Sequence, residues 1–246
     1  MKLISLNTWG ARAGKENLLA FFQQHKDVDI FCLQEVWEGG DEDAPKWGGN
    51  IDTKMITNIG NVLKEYSVFF RPHYHDFYGL AVFAKKKLAI KEEGEIFVFK
   101  ERKNIIEDFA PNHARNIQYL AIDTPKGPQT IINFHGLWNG GGKFDSDERL
   151  LQSDNILRFM KNIPNPHILC GDFNLRPDTA SLKKFEDYGM RNLIAEHGIT
   201  STRSSHYTKP ERFADYTFVS NGIKVNDFKV LPDEISDHLA MYLDFE

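Results

Sequence analysis

Taken only as apolar and polar positions, the chain breaks into short runs rich in β-branched and aromatic residues, some separated by stretches of helical spacing. The runs predict strands at 2–7, 29–34, 67–71, 79–84, 95–100, 116–123, 129–135, 166–171, 214–220 and 239–245. Helical spacing predicts helices over 15–26, 53–65, 146–162 and 178–188. In the third, Leu150, Leu151, Ile156, Leu157 and Met160 share a face behind Ser146 and Asp147, which can cap a helix start. From 66 to 135 strand follows strand, which reads as antiparallel pairing, whereas both ends of the chain alternate strand and helix. That mixture predicts an α/β fold of two sheets packed face to face with helices outside, not one doubly wound sheet. No linker, repeat or low-complexity tract divides residues 1–246, so one domain is expected. The Gly-rich loops 38–52 and 138–145 are places for specificity more than for catalysis.

Composition narrows the choice modestly. A chain of 246 residues buries roughly three quarters of its unfolded surface and needs no covalent staple. The two cysteines, Cys32 and Cys170, lie in apolar runs and read as buried free thiols. A net charge of −5 argues against a strong sequence-independent grip on duplex DNA, but leaves room for a cleft that is locally positive or metal-loaded. No run approaches the roughly 20 apolar residues of a membrane span, and the N-terminus lacks a signal-type apolar region. A cytoplasmic location is the expectation, and no protein partner is evident.

Polar residues stand where the apolar strands end. Asn7 closes the first, Gln34 and Glu35 the second, His135 closes 129–135, and Asp172 and Asn174 follow 166–171. Asp215 opens the strand after Phe213 and Ala214, while Asp237 and His238 precede the last. Each alone has an ordinary explanation as a turn former or a satisfied structural group. Gathered, they would be costly to stability, because half-buried charges need partners, yet they suit a hard divalent cation with oxygen ligands. The spacings HxH, HExxH and CxxC, which would signal zinc, are absent.

The ordered strings LNTWG, LQE, NFHG, GDFN, ADYTFVS and SDH resemble those of the endonuclease/exonuclease/phosphatase superfamily, the DNase I-like metal-dependent phosphoesterases. GDFN with a C-terminal SDH is the specific part. The resemblance implies a four-layer α/β/β/α sandwich with the site at one edge of both sheets. It implies Glu35 as the principal ligand of Mg2+ (or Mn2+), with Asn7 and Asp237 close to the ion. Asp172 would orient or deprotonate the attacking water, Asn174 would hold it or a phosphate oxygen, and Asp215 would pair with His238. His135 would contact the phosphate or protonate the leaving oxygen, and Arg115 would contact the substrate phosphate. Arg149 and Gln152 match an R-x-x-Q pattern read as support for the site loop.

The activity so implied is hydrolysis of a phosphoester by in-line attack of water, with a nucleic-acid or nucleotide substrate placed first. A phosphatase or sphingomyelinase-like hydrolase of a small or lipid phosphate is the alternative, and a catalytically inactive binding protein on the same scaffold a further one. Phe213-Ala214-Asp215-Tyr216 departs from the inositol polyphosphate 5-phosphatase pattern, and NFHG departs from that of abasic-site endonucleases. Basic residues at 85–87, at 102–103 and in the loop 203–212 are candidates for nucleic-acid contact, with Trp9, Trp37 and Trp138 as an aromatic rim.

Overall fold

The computed structural model describes residues 1–102, 113–163 and 166–246. One sheet is built from β1 (Lys2–Asn7), β2 (Ile30–Trp37), β3 (Tyr66–Tyr74), β4 (Tyr78–Lys85), β11 (Val225–Val230) and β12 (Met241–Phe245), in the order β11-β12-β1-β2-β4-β3. The other comprises β5 (Ala89–Phe99), β6 (Arg115–Thr124), β7 (Gly127–His135), β8 (His167–Asp172), β9 (Arg191–Asn192) and β10 (Asp215–Val219), in the order β5-β6-β7-β8-β10-β9. Helices α1 (Lys15–Gln24) and α2 (Met55–Val62) cover the first sheet, while α3 (Asp147–Lys161) and α4 (Ala180–Asp187) cover the second. A short α5 (Leu193–Glu196) follows β9.

The four layers explain why the central strands read as unbroken apolar runs. Ile4, Leu6, Phe31, Leu33 and Phe83 pack against Leu18, Phe21 and Phe22 of α1 and Met55 and Ile59 of α2. Their alternates Leu3, Ile30, Cys32, Val82 and Ala84 face the second sheet. A strand buried on both faces has no polar alternation to show. A polar seam crosses the interface between the sheets: Gln34 donates to Asn133 at 2.7 Å, and Asn133 donates to the Leu33 carbonyl at 3.0 Å.

The expected run of consecutive strands divides between the sheets, β3 and β4 in the first and β5 to β7 in the second. Sequence patterning missed β9, β11 and α5. It also truncated β5, whose first half (AIKEEG) is largely exposed and carries almost no apolar signal.

Register brings the strand ends together. β1 and β2 run parallel with Asn7 opposite Gln34, and β7 and β8 run parallel with His135 opposite Asp172. β10 lies antiparallel to β8 with Asp215 opposite Asp172, and β12 starts beside Ser5 of β1. Polar positions far apart in sequence, Asn7, Gln34, His135, Asp172 and Asp215, therefore share one edge of the sandwich.

That edge depends on close backbone approach. Gly171 has φ +143°, and a Cβ there would lie 1.9 Å from the Phe134 carbonyl oxygen. Gly171→Ala is expected to cost about 4 kcal/mol or more, because neither backbone can give way. Gly127→Ala, at φ +111° but with open space around the added methyl, is expected to cost only about 1 kcal/mol. Urea midpoints of the two variants check the contrast.

Candidate active site

At this edge lies a cavity of about 640 Å³ whose lining includes Glu35, Arg115, His135, Asp172, Asn174, Asp237 and His238. The local backbone is shaped to aim them. Pairing of β2 with β4 slips between Leu33 and Val36, and within that irregularity Glu35 adopts φ +56°. Asn174, just past β8, adopts φ +55°. Left-handed non-glycine residues are uncommon, and they concentrate where side-chain aim matters more than backbone comfort.

Asn7 ties the two sheets. Its amide nitrogen donates to Glu35 Oε1 at 3.1 Å and to Asp172 Oδ2 at 3.0 Å, while its Oδ1 accepts from the Trp9 amide at 2.9 Å. Asn7 thus presents a donor, not an oxygen, to the carboxylates in this arrangement. Asp172 Oδ1 accepts from the Asn174 backbone at 2.8 Å. Burial opposes the Asp172 charge, yet His238, Lys143, His135 and Arg203 together hold its carboxyl well below the usual range. Glu35 is the reverse: burial raises its pKa and Asp237 adds to this, against the Arg12 guanidinium 3.8 Å away.

His238 Nδ1 sits 2.8 and 2.9 Å from the two oxygens of Asp215. Its Nε2 faces Arg203 Nη1 at 2.5 Å, Asp172 at 3.5 Å and Asp237 at 3.7 Å. With Arg203 donating to Nε2, the ring is the neutral tautomer protonated on Nδ1. Burial and Arg203 disfavour the imidazolium, but Asp215, Asp237 and Asp172 outweigh them and raise the pKa. His135, by contrast, is pushed well below the ordinary value by burial and then by Arg115, and it stays neutral. Its Nε2 lies 3.9 Å from Glu35 and 3.8 Å from Asp172.

Ligand atoms of Glu35, His135 and Asp172 fall within 4.8 Å of one another, as do those of Asp172, Asp215 and His238. Asp237 stands outside both groups; its Oδ2 accepts from Arg203 at 3.0 Å, and its Oδ1 is buried without a hydrogen-bond partner. Arg115 is 2% exposed; its Nε donates to the Gly136 carbonyl at 2.9 Å, and its Nη1 meets the rings of His73 and His113.

The walls differ in part from the expected rim. Trp9 and Trp138 line the cavity, but Trp37 is fully buried against Trp47, Phe77 and Tyr78, because β2 continues through it into the core beneath α2. Trp47, from the Gly-rich loop after β2, lines the cavity instead. Lys85 and Lys87 pair with Asp29, and Arg102 pairs with Asp76, which are ordinary surface contacts; Lys103 lies outside the described residues. Arg149 and Gln152 act as the expected loop support: Arg149 donates to the carbonyls of Leu137 and Phe144, and Gln152 accepts from the Leu137 amide. Lys143 escaped sequence reading altogether. It is 3% exposed at the end of a glycine run, and no periodicity marks it.

The sequence model of the Endonuclease/Exonuclease/phosphatase family matches residues 4–238. Comparison with curated proteins finds no match. Among solved structures, a family protein from Bacteroides thetaiotaomicron is 19% identical, with TM-score 0.76 over 100% of this chain and 97% of that one. A mannosyl-6-phosphatase from the same organism is 18% identical, with TM-score 0.75 over 100% and 99%. The human Nocturnin catalytic domain with bound sulfate anion is 19% identical, with TM-score 0.70 over 100% and 94%. At these identities the structures speak for the fold, and the sequence model carries the assignment: the chain belongs to the endonuclease/exonuclease/phosphatase family.

Proposed function

We propose that the chain is a divalent-metal-dependent hydrolase of phosphoesters whose substrate is a compact organic phosphate, a nucleotide or a phosphorylated sugar, ahead of duplex nucleic acid. The observation that carries the reading is one edge where two carboxylates, the half-buried Glu35 and the buried Asp172, and two histidines meet at a cavity with aromatic walls. A volume of about 640 Å³ is that of a small-molecule pocket, and the net charge of −5 does not favour a polyanion track.

The donor set fits Mg2+ or Mn2+. Glu35 and Asp172 are oxygen donors, and the buried Asp237 Oδ1 lacks a partner, as an oxygen awaiting a cation or its water would. Glu35, with Asp237 and Asn7, would hold the ion; Asn7 would do so through its oxygen only after an amide flip that gives up the Trp9 contact. A bound divalent cation supplies Lewis-acid charge to a phosphoryl oxygen. Asp172, kept ionised, orients the attacking water. His238, its Nδ1 proton held by Asp215, takes the water's proton on Nε2 once Arg203 swings from Nε2 toward the incoming phosphate. Neutral His135 and the buried Arg115 hold non-bridging oxygens.

Hydrolysis of a nucleoside monophosphate, a hexose phosphate, bis-p-nitrophenyl phosphate, plasmid DNA and sphingomyelin vesicles, each with Mg2+ or Mn2+ and again with EDTA, tests this. Metal-dependent release from a compact ester, abolished by EDTA, is the expected result. Plasmid as the best substrate overturns the compact reading, and hydrolysis of none of them favours a binding protein on this scaffold.

A further inference from the structure

The loop from residue 136 to 145 is held more firmly than its composition suggests. Gly140 and Gly142, at φ +77° and +78°, turn it back over the site. Arg149 and Gln152 clamp Leu137, Asp145 accepts from the Ala180 and Ser181 amides at 2.7 and 3.0 Å, and the Lys143 carbonyl accepts from the Arg176 amide at 2.8 Å. Lys143 is thereby fixed on both flanks, and its side chain lines the cavity.

Among the described residues its ammonium makes one hydrogen bond, to Asn174 Oδ1 at 3.0 Å, and lies 5.8 Å from the centre of the Trp138 ring, although it carries three donors. Among the described residues no carboxylate lies within ion-pair distance of it. A buried ammonium without a counter-ion is costly, and here burial pulls the pKa down to about 8. The expense makes sense if an anion arrives to complete the set. Asn174, which Lys143 touches, donates its backbone amide to Asp172 Oδ1 at 2.8 Å, and its side-chain nitrogen donates to the Gly136 carbonyl at 3.2 Å. Asp172, Asp215 and Asp237 favour its charge from a distance, but none of them pairs with it directly, and the group that does touch it, the Asn174 amide, is neutral.

We propose that Lys143 is a catalytic residue that binds the substrate phosphoryl group, donating to a non-bridging oxygen and stabilising charge there as the ester breaks. The proposal rests on the hydrolase reading above, and inorganic phosphate separates the two. Phosphate binding, read by quenching of tryptophan fluorescence in the metal-loaded protein, needs no turnover, so it scores Lys143 even if no ester is hydrolysed. Lys143→Met is expected to raise the phosphate dissociation constant at least about tenfold, with Lys143→Arg recovering part of the loss. On the best ester, kcat/KM is expected to fall about 100-fold in Lys143→Met, with a melting temperature no lower than that of wild type. If Lys143→Met fails to fold, Lys143→Gln, which keeps a donor to Asn174 without the charge, gives the same reading. Phosphate affinity within twofold of wild type in the folded neutral variant overturns the proposal, because a lysine that only braces the loop would leave anion binding unchanged.

Discussion

His238→Ala is expected to lower kcat/KM by about three orders of magnitude while leaving the fold intact, the size of effect that removal of a positioned general base produces. The estimate follows from geometry. His238 Nδ1 is locked to Asp215 at 2.8 and 2.9 Å, leaving Nε2 aimed among Asp172, Asp237 and Arg203. Asp215→Asn keeps the ring in place but removes the charge that stabilises the imidazolium, so its loss should be smaller, and the double variant should be no slower than His238→Ala alone. Additive losses, or a fully active His238→Ala, would dissolve the pair. Stability gives an independent signature in metal-free protein. The three carboxylates raise the folded-state pKa above the ordinary value near 6.5, so the native state binds this proton more tightly than the unfolded chain. The resulting stability is fully present below about pH 6.5 and disappears as pH rises through the folded pKa. The gap in urea midpoint between wild type and His238→Ala should therefore narrow from pH 6 to pH 9.

The legible part of this site was legible for a physical reason. β1, β2, β7 and β8 are buried on both faces, so their sequences are apolar until the strand leaves the sandwich, and the polar residue that ends each run marks the edge. Their convergence follows from register, and register is what a one-dimensional pattern leaves out; family resemblance supplied it. Side chains whose environment is made by loops were hidden. Trp37 was placed at the rim because it follows LQE, whereas β2 continues through it into the core. Lys143 reaches the site only because two glycines fold the loop back and α3 clamps it. Gln34 was grouped with the polar residues that end the strands, although it is buried and donates to Asn133 between the sheets. β11 and β9 went unread because a half-exposed edge strand and a two-residue strand carry too little periodicity.

Glu35→Gln is expected to have opposite effects on the metal-free and metal-loaded protein, and this separates a ligand from a merely buried acid. Burial raises the Glu35 pKa, with Asp237 adding and Arg12 opposing, so at neutral pH the folded state bears a charge it disfavours. Glutamine keeps the shape and the acceptor oxygen facing Asn7 but removes that charge. Arg12 is not stranded, because its guanidinium also donates to the carbonyls of Trp9, Trp47 and Gly48. In EDTA the variant should therefore melt above wild type. With Mg2+ at about 100 times its dissociation constant, wild type should gain about 2.7 kcal/mol by mass action. The variant, lacking the charge that holds the ion, should gain little at the same concentration and should need at least about 100-fold more metal for half-maximal turnover. Equal stabilisation of both proteins by Mg2+ would move the metal away from Glu35, and a variant less stable than wild type in EDTA would mean that the carboxylate contributes to the fold through Arg12 and Asn7 instead of standing ready for a cation.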